Sequence, residues 1–195
     1  MMTRRARTAL RFFLASLGMA VVALLAISPS HAQNEPSFTS LKEIRERGVV
    51  MQQWETSCAA ATIATVLTYG LGDAVSEAHV AASMLKKSDA ATVKKQGGFS
   101  LLDMKHFVED RGYAGSAYKH LSINDLRAFQ GPIVPIDNYG FNHYVVFNGV
   151  RDDQVFLADP AFGNRKMSLE QFNQVWMDGM AFVVSAKGKN DKKTE

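Results

Sequence analysis

Apolar and polar positions divide this chain into stretches of different texture. Phe12 to Ile27 is an uncharged, mostly apolar run. Residues 33 to 47 are polar, with one short helix predicted around Leu41 to Arg47 and a brief apolar run at Val49-Val50-Met51 that reads as a strand or an extended entry. Cys58 to Leu67 is Ala-rich and apolar nearly all round, the pattern of a buried central helix. Thr56-Ser57 supplies hydroxyls at its start, and Gly70 or Gly72 marks its end. Ser76 to Leu85 predicts a second helix, and the charged stretch Lys86 to Gln96 predicts a surface loop.

Three later helix starts repeat one device. Ser100 with Asp103, Ser122 with Asp125 and Ser168 with Gln171 each set a hydroxyl three residues before an acidic or amide side chain, so that two orphan backbone donors are satisfied reciprocally. Apolar positions follow at helical spacing: Leu101, Met104 and Val108; Leu126 and Phe129; Leu169, Phe172 and Trp176. Between and after these helices the period changes to that of strands, at Ile133–Ile136, Tyr144–Val150, Val155–Ala158 and Ala181–Val184, with Asp152-Asp153 as a hairpin turn. Helices first and an antiparallel sheet afterwards make an α+β arrangement.

Charge changes the reading of the amino terminus. Arg4, Arg5, Arg7 and Arg11 precede the apolar run, and Pro29 and Ser30-His31-Ala32 follow it. This is the layout of a secretory signal peptide over residues 1–32, cleaved after Ala32, with an uncleaved membrane anchor as the alternative. The apolar run has sixteen residues, short of the roughly 20 that a span needs. The expected location is periplasmic or secreted. Those four arginines are part of 22 basic residues; the remaining 18 face 19 acidic ones, so the chain from Gln33 onward has a formal balance of −1. That excludes a nucleic-acid-binding domain as the source of the basic whole-chain pI. At 47% apolar residues the chain has enough to bury a core. The expected organisation is a lead-in at 33–48, one domain at 49–186 and a charged, disordered tail at 187–195.

Cys58 is the single cysteine. It excludes an intramolecular disulfide and a multi-cysteine metal site. In an oxidising compartment a lone thiol is buried and inert, intermolecular, or reactive. Its place at a helix start, where unpaired N–H groups favour thiolate over thiol, fits the reactive case. His143 opens the strand His-Tyr-Val-Val-Phe and is a candidate base, or a histidine merely bonded at a strand end. Asp159 ends the next strand and is a candidate to orient that imidazole, or an ordinary Asp-Pro turn. Gln52, six residues before Cys58, is a candidate oxyanion donor with the Cys58 N–H, or a polar surface residue like Gln53. Nucleophile, base, orienter and oxyanion donor are the parts of thiol acyl-transfer chemistry. His79, His106 and His120 lack metal-ligand spacing, and no metal or organic cofactor is implied.

Gln52-x5-Cys58, Gly98-Phe-Ser-Leu-Leu-Asp103, His143-Tyr-Val-Val and Ala158-Asp-Pro-Ala-x-Gly163, in that order, resemble the C39 peptidases, papain-like cysteine peptidases that cut after a Gly-Gly pair ending a leader peptide. The resemblance runs from about Val49 to Val184. It implies a papain-like α+β fold with Cys58 as nucleophile, His143 as general base and acid, Asp159 as orienter and Gln52 as oxyanion donor, and a peptide or protein as the substrate. A narrow cleft closing on a backbone without side chains suits glycine, and Trp54 is a candidate to line it. The chain departs from the family pattern at Ala59, where glycine is usual, and at Ser57, where many members have aspartate. It also has no Gly-x4-Gly-Lys phosphate loop, so no ATP-binding domain is expected. Two other readings of the same four residues stand beside the peptidase: a non-catalytic peptide-binding module, and an amidase acting on a cell-wall peptide.

Overall fold

A computed structural model of the chain describes residues 39–187. The expected signal peptide, residues 33–38 of the lead-in and all but the first residue of the charged tail lie outside the described residues. The elements, in chain order, are α1 (Leu41–Glu46), α2 (Cys58–Thr65), α3 (Glu77–Leu85), α4 (Ala90–Gln96), α5 (Leu101–Asp110), β1 (Tyr113–Tyr118), α6 (Ile123–Arg127), β2 (Ile133–Asn138), β3 (Phe141–Arg151), β4 (Gln154–Asp159), β5 (Gly163–Ser168), α7 (Leu169–Val175) and β6 (Ala181–Ala186).

The strands form one antiparallel sheet in the order β1-β6-β2-β3-β4-β5. Successive residues of a strand point to opposite faces, and the sequence fills both faces. Ile133, Val146, Ala158 and Phe182 pack against the helical layer, where all eight residues of α2 are buried. Their strand neighbours Val134, Val145, Leu157 and Ala181 pack on the opposite face under Leu126 of α6 and Phe172 of α7. The central helix is apolar nearly all round because it is enclosed all round, and its two threonines bond their hydroxyls to the helix's own carbonyls. It ends in a wide π turn over Val66–Gly70.

The three Ser-x-x-Asp/Gln pairs all form reciprocal caps, and Ser40 with Glu43 does the same for α1. The Asp152-Asp153 turn is present, with both residues at positive φ (50° and 55°) and Arg151 paired with Gln154, the geometry that suits a tight hairpin.

Four details differ from the sequence reading. The stretch expected as a loop at Lys86–Gln96 contains α4. The Asp89 side chain accepts from the Thr92 N–H at 2.7 Å, and the helix buries only Val93, so it carries almost no periodic signal. Strands β1 and β5 carry no strand pattern in the sequence. β1 contains the small residues Ala114-Gly-Ser-Ala117 and β5 the polar run Asn164-Arg-Lys166, and both lie at sheet edges where branched apolar residues are not required. Finally, the Ser57 hydroxyl does not cap α2; it turns back to donate to the Trp54 carbonyl at 2.8 Å.

Candidate active site

Cys58 is the first residue of α2, and it is buried. Because Ser57 is turned away, no side chain caps this helix start. The first-turn N–H groups that a Ser57 cap would occupy lie at the cysteine's end of the helix, and such groups are suited to an anion.

His143 lies near the start of β3 and Asp159 at the end of β4, on neighbouring strands. His143 Nε2 is 2.8 Å from Asp159 Oδ1. The Cys58 thiol is the imidazole's other interacting neighbour and acts with Asp159 to raise its pKa. With Nε2 directed to the carboxylate, Nδ1 is the nitrogen left for sulfur. Cys58, His143 and Asp159 thus form a continuous chain of contacts.

Asp159 is fully buried. Oδ1 accepts a second hydrogen bond, from the Ala161 N–H at 2.8 Å, and a longer one from Phe162. Oδ2 faces Arg165 Nε at 2.7 Å. The two are not aligned for a hydrogen bond, so this contact is a charge pair. Burial opposes the carboxylate's charge, but the His143 hydrogen bond, the charges of His143 and Arg165 and the Ala161 N–H outweigh it and hold its pKa below the usual value. For His143, burial likewise opposes charge. The hydrogen bonds to Asp159 and Cys58, and their charges, prevail and raise its pKa from 6.5 to about 9. Tyr144 is pushed up to about 12, by burial first and then by the charges of Cys58 and Asp103.

Nothing in the sequence pattern marks Arg165. It pairs with Leu157, two residues before Asp159, so its side chain issues from the same face of the sheet as the carboxylate. The signal lay in the hairpin register, which the polar composition of β5 concealed.

Gln52 stands beside this cluster. Its backbone N–H donates to the Pro160 carbonyl at 2.8 Å, one residue beyond Asp159. Its side-chain Nε2 donates to the Trp54 carbonyl at 3.1 Å, and Oε1 is buried without a partner. The Trp54 side chain is half exposed, at 52%, while its backbone is held by Ser57.

Two glycines set the spacing of these loops. A Cβ on Gly98 (φ +151°) would sit 3.0 Å from the Thr56 carbonyl, two residues before the cysteine. A Cβ on Gly163 (φ +77°) would sit 2.6 Å from the Arg45 carbonyl. There α1 is bound to the segment after Asp159, with Arg45 donating to the Phe162 carbonyl at 2.9 Å and Asn164 to the Arg47 carbonyl at 2.7 Å.

Comparison with known proteins places the chain in a family and supports its fold. The model of the Peptidase C39 family matches residues 46–189. A relative from Pseudomonas fluorescens, described as a probable functional amyloid protease FapD, is 33% identical over 186 residues, covering 95% of this chain and 81% of its own length. Its counterpart from Pseudomonas aeruginosa is 34% identical over 76% of this chain and 65% of its own length. Among solved structures, the peptidase domain of Streptococcus ComA, a bifunctional ABC transporter, superposes with a TM-score of 0.59 at 23% identity, covering 71% of this chain and 98% of that domain. A double-glycine-motif protease from an AMS/PCAT transporter, solved with its leader peptide, gives the same score and identity over 71% of this chain and 91% of that one.

Proposed function

Since this chain belongs to the Peptidase C39 family and is a cysteine peptidase, we propose that it is an exported enzyme that hydrolyses the peptide bond following a Gly-Gly pair, with Cys58, His143, Asp159 and Gln52 as its machinery. The observation that carries the catalytic assignment is the contact chain from the Cys58 thiol through the imidazole to Asp159 at 2.8 Å.

The thiolate of Cys58 attacks the scissile carbonyl carbon, and the C=O π electrons move onto oxygen. The Cys58 N–H and the Gln52 amide donate to that oxyanion. Nε2 of Gln52 carries two N–H bonds, of which one meets Trp54 and the other serves the oxyanion. Collapse breaks the C–N bond, His143 gives its proton to the leaving amine, and a thioester remains on Cys58. Water then attacks the thioester as His143 takes its proton. Collapse breaks the C–S bond and restores the thiolate–imidazolium pair, and the acid product loses its proton to solvent and leaves as the carboxylate. Asp159 keeps the imidazole in one tautomer and orientation throughout.

The sequence relatives described as probable functional amyloid proteases support a protein rather than a small-molecule substrate. Export rests on Arg4–Arg11, the apolar run Phe12–Ile27 and Ser30-His31-Ala32. Protein recovered from the periplasm or medium of an expressing bacterium should begin at Gln33; an intact Met1 there would contradict export with cleavage. Specificity is tested with matched fluorogenic peptides that end in Gly-Gly or Ala-Ala before the aminomethylcoumarin group. Release from the Gly-Gly peptide alone, abolished by Cys58→Ala, is expected. Equal turnover of both peptides would refute the Gly-Gly preference, and turnover by Cys58→Ala would refute the nucleophile.

A further inference from the structure

Glu77 is a buried charged residue that the mechanism above does not use. It opens α3 and is only 2% exposed. It does not cap that helix, because the Ser76 hydroxyl accepts from the His79 N–H. One carboxylate oxygen, Oε1, accepts from the Gln53 backbone N–H at 3.3 Å, and Oε2 is buried with no protein partner. Burying a carboxylate against a single long hydrogen bond costs stability, and a glutamine or leucine of similar size would cost less. The helix start lessens that cost without explaining the residue.

The location of its one partner gives the explanation. The Gln53 N–H belongs to the peptide plane that joins Gln52 to Gln53, so fixing it fixes the backbone on the carboxyl side of Gln52. The Gln52 N–H, donated to the Pro160 carbonyl, fixes the amino side. Gln52 is thus held between the segment after Asp159 and the carboxylate of Glu77. We infer that Glu77 is a positioning residue that acts through the Gln52–Gln53 peptide to aim the Gln52 amide at the oxyanion. This rests on the oxyanion role proposed for Gln52.

The test compares Glu77→Leu, which removes the acceptor, with Glu77→Gln, whose amide oxygen retains it. The probe is the Gly-Gly-aminomethylcoumarin peptide, and a second readout is alkylation of Cys58 by iodoacetamide, a reaction that forms no oxyanion. Glu77→Leu should lower kcat roughly tenfold with KM within about twofold, because misplacement of a transition-state donor acts on kcat. Cys58 labelling should stay within about twofold of the parent, and Glu77→Gln should recover most of kcat. In the Gln52→Ala background, where no amide remains to aim, Glu77→Leu should add less than about twofold.

An unchanged kcat in Glu77→Leu overturns the inference, as does labelling that falls in step with kcat, or losses that multiply in the double variant. If Gln52→Ala itself leaves kcat intact, the oxyanion role fails and the inference fails with it. A slow Gln52→Ala beside a fast Glu77→Leu refutes the Glu77 role alone. Should Glu77→Leu not fold, Glu77→Ala takes its place under the same criteria.

Discussion

The imidazole of His143 has the Asp159 carboxylate and the Cys58 thiol as neighbours, and they decide its charge. Burial alone would make it neutral, yet the carboxylate at 2.8 Å and the thiol raise its pKa to about 9. It is therefore cationic at neutral pH, the state that the proposed protonation of a leaving amine requires. Asp159→Asn removes the hydrogen bond to a carboxylate and its charge together, so the His143 pKa falls. The alkaline limb of kcat/KM should move to lower pH while kcat drops at least about tenfold. An alkaline limb that stays in place would show that Asp159 does not set the imidazole's charge. Cys58, His143, Asp159 and Gln52 were open to selection from the sequence because each has a chemical type and a place at an element boundary. Arg165 and Glu77 were not. One lies on a strand whose composition is polar, and the other resembles any first-turn glutamate until its burial is known.

At the scale of elements, the reciprocal serine caps are legible in the sequence, whereas α4 and the sheet edges are not. A Ser-x-x-Asp or Ser-x-x-Gln pair makes its own hydrogen bonds within four residues, so tertiary context adds little to it. β1 and β5 depend on a neighbouring strand for their existence, and nothing in Ala114-Gly-Ser-Ala117 or Asn164-Arg-Lys166 announces that neighbour. The lead-in segment has a similar hidden dependence. Its helix α1 fastens the turn that follows Asp159, through the Phe162 and Arg47 carbonyls and the close approach of Arg45 to Gly163. Gly163→Ala meets both a positive φ and a backbone clash, and should cost about 1–3 kcal/mol or more. Because the displaced turn carries the N–H donors to Asp159, kcat should fall along with the midpoint of thermal unfolding. Full activity with unchanged stability would mean that α1 does not constrain the site.

For the molecule as a whole, the charged pair couples stability to pH. The His143 pKa is raised, so its contribution is complete below the ordinary value near 6.5 and is lost as pH rises through about 9. The Asp159 pKa is lowered, so its contribution is complete above about 3.8 and is lost as pH falls through the lowered value. The unfolding free energy from denaturant titration should therefore decline between pH 6.5 and 9, and His143→Phe should flatten that decline. An equal slope in both proteins would assign the pH dependence to other groups. The proposed catalysis depends on cooperation between Cys58 and His143. The most direct test is the rate at which iodoacetamide labels Cys58 from pH 5 to 9, in the parent protein and in His143→Ala. We predict rapid labelling at pH 6, where an ordinary thiol of pKa ~8.5 is almost unreactive, and a fall of about tenfold or more in the variant. Slow labelling at pH 6 with the same profile in both proteins would contradict the thiolate–imidazolium pair.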